Sequence, residues 1–234
     1  MIDRLFLIGG GNDDAGFVAG HRAFADAVQA ESNSEVCVVI LDHEGRVFVD
    51  PLLDRLADLG LRPRPMIVSP TLPPTAVKGS VYVAGGDTPG YQEALCGDKA
   101  WLAQVTLYGG FSAGAVIAAR HAVVGGWWAD GAPICDPEVG EGLHDVDVRP
   151  GLGLTEATVD VHCAQWGTLP RLIHAVQEAR VHRGWGLDES TALELRDGVA
   201  QAIHGNGAAW SAEAAPPGSS VVVRRHLAGP LQMT

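Results

Sequence analysis

The segment Tyr108-Gly109-Gly110-Phe111-Ser112-Ala113-Gly114-Ala115 carries the clearest chemistry in this chain. An apolar run that reads as a buried strand passes straight into a helical stretch, with small residues on both sides of one serine. Gly110-x-Ser112-x-Gly114 is the sequence form of a nucleophile elbow, a strained turn tolerated because flanking glycines let neighbouring chain pack close. Such a turn projects the Ser112 hydroxyl from the sheet edge, beside the amide-rich start of a helix where developing negative charge is favoured. The plain structural alternative is a serine that merely caps a helix.

A serine hydroxyl needs a base to take its proton. Of nine histidines, His21, His174, His182 and His226 lie among polar residues, as on solvated helix or strand faces, His43 and His121 near strand or helix ends, and His204 on an alternating strand. His162 stands apart. It follows Thr158-Val159-Asp160-Val161 at the end of a strand and precedes the polar turn Gln165-Trp166-Gly167-Thr168, where an α/β sheet presents side chains to a cleft. A third group must hold the imidazole tautomer. Asp188 and Glu189, in Gly186-Leu187-Asp188-Glu189-Ser190-Thr191-Ala192, sit at another apparent strand end, and either could orient His162.

The surrounding pattern predicts how these residues are positioned. Short apolar runs at Leu5–Ile8, Val36–Leu41, Pro65–Val68, Val81–Ala84 and Val105–Tyr108 read as strands buried on both faces. Helical spacing at Phe17–Val28, Pro51–Leu59, Tyr91–Leu95 and Ala113–Arg120 alternates with them. The expectation is one α/β domain spanning 1–234, with a doubly wound, mostly parallel sheet whose carboxyl-end turns gather the site. Gly125–Pro150 has no clear period and reads as a long loop over that site. Further on, Ala157–Val161 reads as a strand and Leu169–Ala179 as a helix. Gly184–Leu187, Thr191–Leu195, Ala200–His204 and Ser220–Arg224 form a C-terminal antiparallel extension, with turns at Arg196-Asp197-Gly198 and Gly205-Asn206-Gly207.

Composition narrows the classes. The chain has 234 residues, a formal net charge of −12 and 47% hydrophobic residues, enough to bury a substantial core and unlike a disordered chain. The acidic balance excludes a nucleic-acid surface, which needs clustered Lys and Arg. No apolar run approaches the roughly 18 residues that cross a bilayer, and the first apolar stretch is too short for a signal peptide. Cys37, Cys96, Cys135 and Cys163 form no CxxC pair and read as reduced thiols in a cytoplasmic protein. No spacing reads as a zinc site. Gly9-Gly10-Gly11-Asn12 reads as a sharp turn lining the site, because Asp13-Asp14 would repel a phosphate. Trp127-Trp128 reads as loop packing before site cap, and Arg46, Arg149 and Arg171 as surface charges before carboxylate clamps.

Taken in order, Gly85-Gly86-Asp87, Gly110-Phe111-Ser112-Ala113-Gly114-Ala115, Gly151-Leu152-Gly153-Leu154, Asp160-Val161-His162 with Arg171-Leu172, and Gly186 to Ala192 resemble the peptidase E/cyanophycinase family of serine peptidases. The likeness runs from about Leu5 to Gly207. It implies a fold similar to class I glutamine amidotransferases (flavodoxin-like, three-layer), with serine in place of the cysteine nucleophile. It also implies Ser112 as nucleophile, His162 as base, Glu189 as orienting acid, and the amides of Gly86 and Ala113 as an oxyanion hole. Asp160 looks like a site-lining position, with Asp87 and Gln165 beside substrate.

The chain departs from the family where specificity is set. Cys163 and Gln165-Trp166-Gly167 stand where an aromatic and an Arg-Gly-Arg run are usual, and Asp87-Thr88 replaces the glutamine after Gly-Gly. The patterns of aspartyl dipeptidases are missing. The expectation is a cofactor-free, metal-free serine peptidase cleaving a short peptide or isopeptide bond next to aspartate, with pairing into a homodimer common in the family. Two alternatives stay open: an α/β-hydrolase-type esterase, with Asp145 or Asp147 ahead of His174 or His182, and a non-catalytic binding protein on the same scaffold.

Overall fold

Each apolar run forms a strand in the computed structural model, which describes residues 2–11, 13–31, 34–42, 49–215 and 220–231. The first half alternates strand and helix: β1 (Arg4–Ile8), α1 (Asp14–Ala30), β2 (Glu35–Leu41), α2 (Val49–Asp58), β3 (Arg62–Val68), β4 (Lys78–Val83), α3 (Thr88–Leu95), β5 (Gln104–Phe111) and α4 (Ala113–Ile117). After these come β6 (His121–Gly125), β7 (Trp128–Ala129), β8 (Ala132–Pro133), β9 (Asp147–Pro150), β10 (Thr158–Val161), α5 (Cys163–Trp166) and α6 (Leu169–Gln177). The chain ends in β11 (Arg183–Leu187), β12 (Thr191–Arg196), β13 (Val199–Gly205), β14 (Ala209–Ala215), β15 (Ser220–His226) and β16 (Gly229–Pro230).

The main sheet has eight strands in the order β16-β13-β12-β1-β5-β4-β2-β3. Its β1-β5-β4-β2-β3 half is parallel, and β12, β13 and β16 join antiparallel. The sheet is therefore mixed where the sequence predicts a mostly parallel one. The C-terminal strands also divide. Strands β12 and β13 extend the main sheet, whereas β11, β14 and β15 form a second sheet with β10, in the order β10-β11-β14-β15. Strand β14, Ala-Trp-Ser-Ala-Glu-Ala-Ala, carries no strand signal in sequence because alanine and glutamate disfavour strands; long-range pairing with β11 and β15 overrides that.

The 125–150 segment is likewise not a plain loop. Strand β9 pairs antiparallel with β6, and β7 with β8. Ladders of two to four residues leave no period for sequence to show. Helix α4 stops at Ile117, before Arg120.

Strand β1 sits centrally, and Leu5, Phe6, Leu7 and Ile8 are all buried, as a strand covered on both faces requires. Pro63 and Pro65 lie on β3, the sheet edge, where a missing N–H breaks no ladder; at that edge the Pro65–Val68 run, expected to be buried on both faces, is buried only at Val68. Helix α1 starts at Asp13, whose carboxylate accepts from the Gly16 N–H at 2.8 Å. A smaller apolar cluster, including Val123, Leu172, Val176 and Ala212, packs under α6. Among the described residues no helix is long and apolar enough to cross a membrane. All four cysteines are free thiols.

His21, on α1, is fully buried rather than on a solvated face, and stacks on Phe17 with ring centroids 3.8 Å apart. Its Nδ1 lies 2.8 Å from the Phe17 carbonyl, so Nδ1 carries the hydrogen and Nε2 accepts from the Tyr82 hydroxyl at 2.8 Å. Burial pushes its pKa down to about 3. Below the ordinary imidazole pKa the unfolded chain takes up a proton that the native state refuses. Stability therefore falls as pH drops through about 6.5, by roughly 1.4 kcal/mol per unit from this group, until the native side chain itself titrates near 3. Denaturant unfolding of wild type and His21→Gln from pH 7 to pH 4 checks this: the variant should show the shallower acid loss, and parallel curves would refute it.

Candidate active site

Strand β5 ends at Phe111, and Ser112 turns the chain into α4 with φ 52° and ψ −115°. Both flanking glycines are needed for close approach. A Cβ at Gly110 would lie 2.4 Å from the Gly114 carbonyl oxygen, and one at Gly114 would lie 2.2 Å from the Val83 carbonyl oxygen. The helix start thus packs directly on β5 and β4. This is the elbow geometry expected of the motif.

The turn after β1 ties the three predicted catalytic segments together. The carbonyls of three consecutive residues, Ile8, Gly9 and Gly10, accept from the N–H groups of Ser112 (2.9 Å), His162 (3.0 Å) and Ser190 (2.9 Å). Gly10 has a positive φ of 107°, and a Cβ there would sit 2.0 Å from Cε1 of His162. Glycine is therefore required by contact with the imidazole as well as by the backbone. The sequence marks this turn as lining the site; its clasping role shows only in three dimensions. Asn12 lies outside the described residues.

The side chains converge as the backbone does. Ser112 Oγ is 2.9 Å from His162 Nε2, and His162 Nδ1 is 2.7 Å from Glu189 Oε1. With the Glu189 carboxylate accepting from Nδ1–H, Nε2 is left bare to take the serine proton. His162 is itself left-handed, at φ 56° and ψ 31°, capping the short α5. Such strain outside glycine clusters at functional positions.

Asp188 and Glu189, both open from sequence, have separate jobs. Asp188 is buried, and its oxygens accept from the Ala164 N–H, the Ala208 N–H and Trp210 Nε1, at 2.9 to 3.1 Å. It fastens α5 to the second sheet, and Glu189 alone meets the imidazole.

Of the positions expected to face substrate, Asp160 is committed elsewhere and Gln165, still exposed, also braces the acid. Asp160 is 0% exposed; its Oδ1 accepts from Arg171 Nη2 at 2.7 Å and its Oδ2 from Arg171 Nε at 2.9 Å. It lies behind His162, buttressing β10, rather than lining a cleft. Gln165 accepts the Glu189 N–H on its Oε1 at 2.9 Å, which positions the acid. Asp87 caps α3 through the Gly90 N–H at 2.8 Å and stays half-buried beside Gly86. Among the described residues no acceptor lies in hydrogen-bonding geometry with the N–H of Gly86 or of Ala113.

No protein-family model matches this chain, and no curated protein does.

Other candidates fall away from Ser112. Asp145 pairs with His144, Asp147 with Arg149, and His174 with Asp130. Neither the acids nor the histidines of the esterase alternative reach the serine. Trp127 and Trp128 pack on each other and on His144. Arg149 is held by Asp147 and Glu93; Arg46 and His43 lie outside the described residues. Among those residues no cluster of His, Cys, Asp and Glu is arranged to hold a metal ion. Cys163, next to the histidine, is buried with its thiol pKa pushed well up, which makes it an inert packing group.

Sequence reading missed three contributors. Trp166 stacks on the His162 ring, with centroids 3.8 Å apart and planes 7° apart. Its position four residues after the histidine is the one signal that could have marked it. Glu141 reaches back from the 125–150 segment to the Thr88 hydroxyl at 3.2 Å, and burial raises its pKa. Nothing local in sequence links Glu141 to Thr88. The same holds for the clasp formed by the Ile8, Gly9 and Gly10 carbonyls.

Burial lowers the His162 pKa, although the hydrogen bond and charge of Glu189 pull it partly back up. If His162 serves as a general base it acts in its neutral form, and activity should then climb with pH through an apparent pKa below the ordinary 6.5 and be flat at neutrality. Glu189→Gln removes the two largest raising influences and lets an amide hydrogen face Nδ1. The limb should then move further down while the plateau drops roughly 10³–10⁴-fold. A kcat/KM profile from pH 4 to 9 checks both, and a limb moving upward would contradict them.

Proposed function

We propose that the protein is a serine hydrolase that cleaves the amide bond of a short peptide or isopeptide through an acyl-enzyme. The observation that carries this reading is the unbroken relay from Ser112 Oγ through His162 to Glu189, at 2.9 and 2.7 Å. In that reaction Nε2 takes the Ser112 proton as Oγ attacks the scissile carbonyl. The N–H groups of Gly86 and Ala113 receive the oxyanion. His162 then delivers the proton to the leaving nitrogen, and water activated by the same imidazole releases the acid.

A peptidase E/cyanophycinase-like enzyme on a doubly wound, flavodoxin-like core of the glutamine amidotransferase type is the finer form of this proposal. The parallel β1-β5-β4-β2-β3 half, with the nucleophile at the end of β5, supports it. The aspartyl preference rests on the resemblance alone. Arg171, the arginine nearest the base in sequence, is spent on Asp160 and on the Val139 carbonyl.

Two measurements test the proposal together. A fluorophosphonate should label wild type on Ser112 and leave Ser112→Ala unlabelled, and a dipeptide library should reveal turnover by wild type. Absence of labelling in folded wild type would refute the reading.

A further inference from the structure

Trp166 is the least explained large side chain near the site. It closes the four-residue α5, where its N–H donates to the His162 carbonyl at 2.8 Å. One face of the indole lies against the imidazole, nearly parallel, yet 48% of the residue remains exposed. Three atoms on the rim of the ring are also met. Glu189 holds Nδ1, Ser112 faces Nε2, and the bare Cα of Gly10 abuts Cε1. Gln165, one residue earlier on α5, braces the main chain of Glu189. Two adjacent side chains of one short element therefore serve the relay, one on the acid and one on the base.

The chemistry of the relay says which part of a substrate meets the indole. In acylation the proton moves from Oγ to Nε2 and then to the amide nitrogen as its bond to the acyl carbon breaks. That nitrogen must come within hydrogen-bonding distance of Nε2. Whatever is attached to it then extends past the imidazole, on the side of the site where Trp166 lies stacked on the ring and half-exposed. The acyl portion, held by Ser112 and the oxyanion donors, lies on the other side of the scissile bond.

We propose that Trp166 is the floor of a leaving-group subsite that selects amides whose departing amine carries a planar or aromatic side chain. This deepens the hydrolase reading above and rests on it. Offset stacking on a half-exposed indole favours such groups over an alanine side chain by about tenfold.

The test is a leaving-group series: dipeptides sharing the acyl residue that wild type cleaves best, followed by Gly, Ala, Leu, Phe or Trp. The quantity read is the Phe-to-Ala ratio of kcat/KM within each protein, which cancels any general loss of rate. Wild type should favour Phe about tenfold, Trp166→Phe should keep most of that preference, and Trp166→Ala should bring the ratio to about one. An unchanged ratio in Trp166→Ala overturns the subsite, as does a wild type with no preference or with no dipeptide turnover. An equal loss on every leaving residue also overturns it, because the indole would then only shield the histidine. Fluorophosphonate labelling, which involves no departing amine, separates the two levels. Labelled wild type with no leaving-group preference refutes the subsite alone, whereas unlabelled wild type refutes the hydrolase and the subsite with it.

Discussion

Ser112→Ala should lower turnover by roughly 10⁶-fold and leave the fold intact. In the proposed hydrolysis the loss is large because nucleophile and base act as a unit: without Oγ there is no acyl-enzyme, and His162 has nothing to activate at that point. What survives is the contribution of oxyanion donors and substrate binding to attack by water. The fold should survive because, among the described residues, Oγ hydrogen-bonds to one partner, His162 Nε2. The strained Ser112 backbone is imposed by its surroundings: its N–H is held by the Ile8 carbonyl at 2.9 Å, and its own carbonyl accepts from Ala115 and Val116. Kinetics on the best library dipeptide, with denaturation midpoints alongside, measure both halves. A variant that keeps more than about a hundredth of wild-type activity would remove Ser112 from the chemistry.

Arg171→Ala should have the largest effect on stability, a loss of about 3–5 kcal/mol. The guanidinium is 4% exposed and forks onto both oxygens of Asp160, which is 0% exposed. Burial works against its charge, but the adjacent Asp160 charge and hydrogen bonds more than offset that and raise its pKa. Truncating the arginine leaves a carboxylate in the interior whose one remaining hydrogen-bond donor among the described residues is the Val161 N–H at 2.9 Å. It also frees the Val139 carbonyl, which Arg171 Nη1 holds at 3.0 Å, and so loosens the 125–150 segment. Double replacement by Asp160→Asn with Arg171→Met should recover part of the loss, since no bare charge remains. Urea titrations of the three variants decide it, and a cost under about 1 kcal/mol for Arg171→Ala would show the pair to be idle. Because Asp160 is two residues before His162, activity should fall along with stability.

Much of the site is legible because its parts are local. Ser112 announces itself through glycines at fixed spacing, and those glycines are dictated by contacts within five residues on either side or with the adjacent strand. The inner strands β1, β4 and β5 show as apolar runs because both faces are covered, whereas edge strand β3 is buried only at Val68. The rest is invisible for the same reason in reverse. Asp160, Asp188 and Gln165 are polar residues near strand ends, as a substrate-binding residue would be. What separates a brace from a binding group is the partner, and the partners lie 11 to 24 residues away.

By itself, then, the sequence determined which residue types stand at strand ends, the alternation that builds the parallel half, and the elbow that strains Ser112. Those follow from periodicity, glycine spacing and sterics over a few residues. Tertiary structure decided the mixed sheet, the choice of Glu189 over Asp188, and the burial of Asp160. It also decided the stacking of Trp166 and the clasp of three carbonyls after β1. Each of these depends on hydrogen bonds and packing between segments far apart in the chain, which local pattern does not encode.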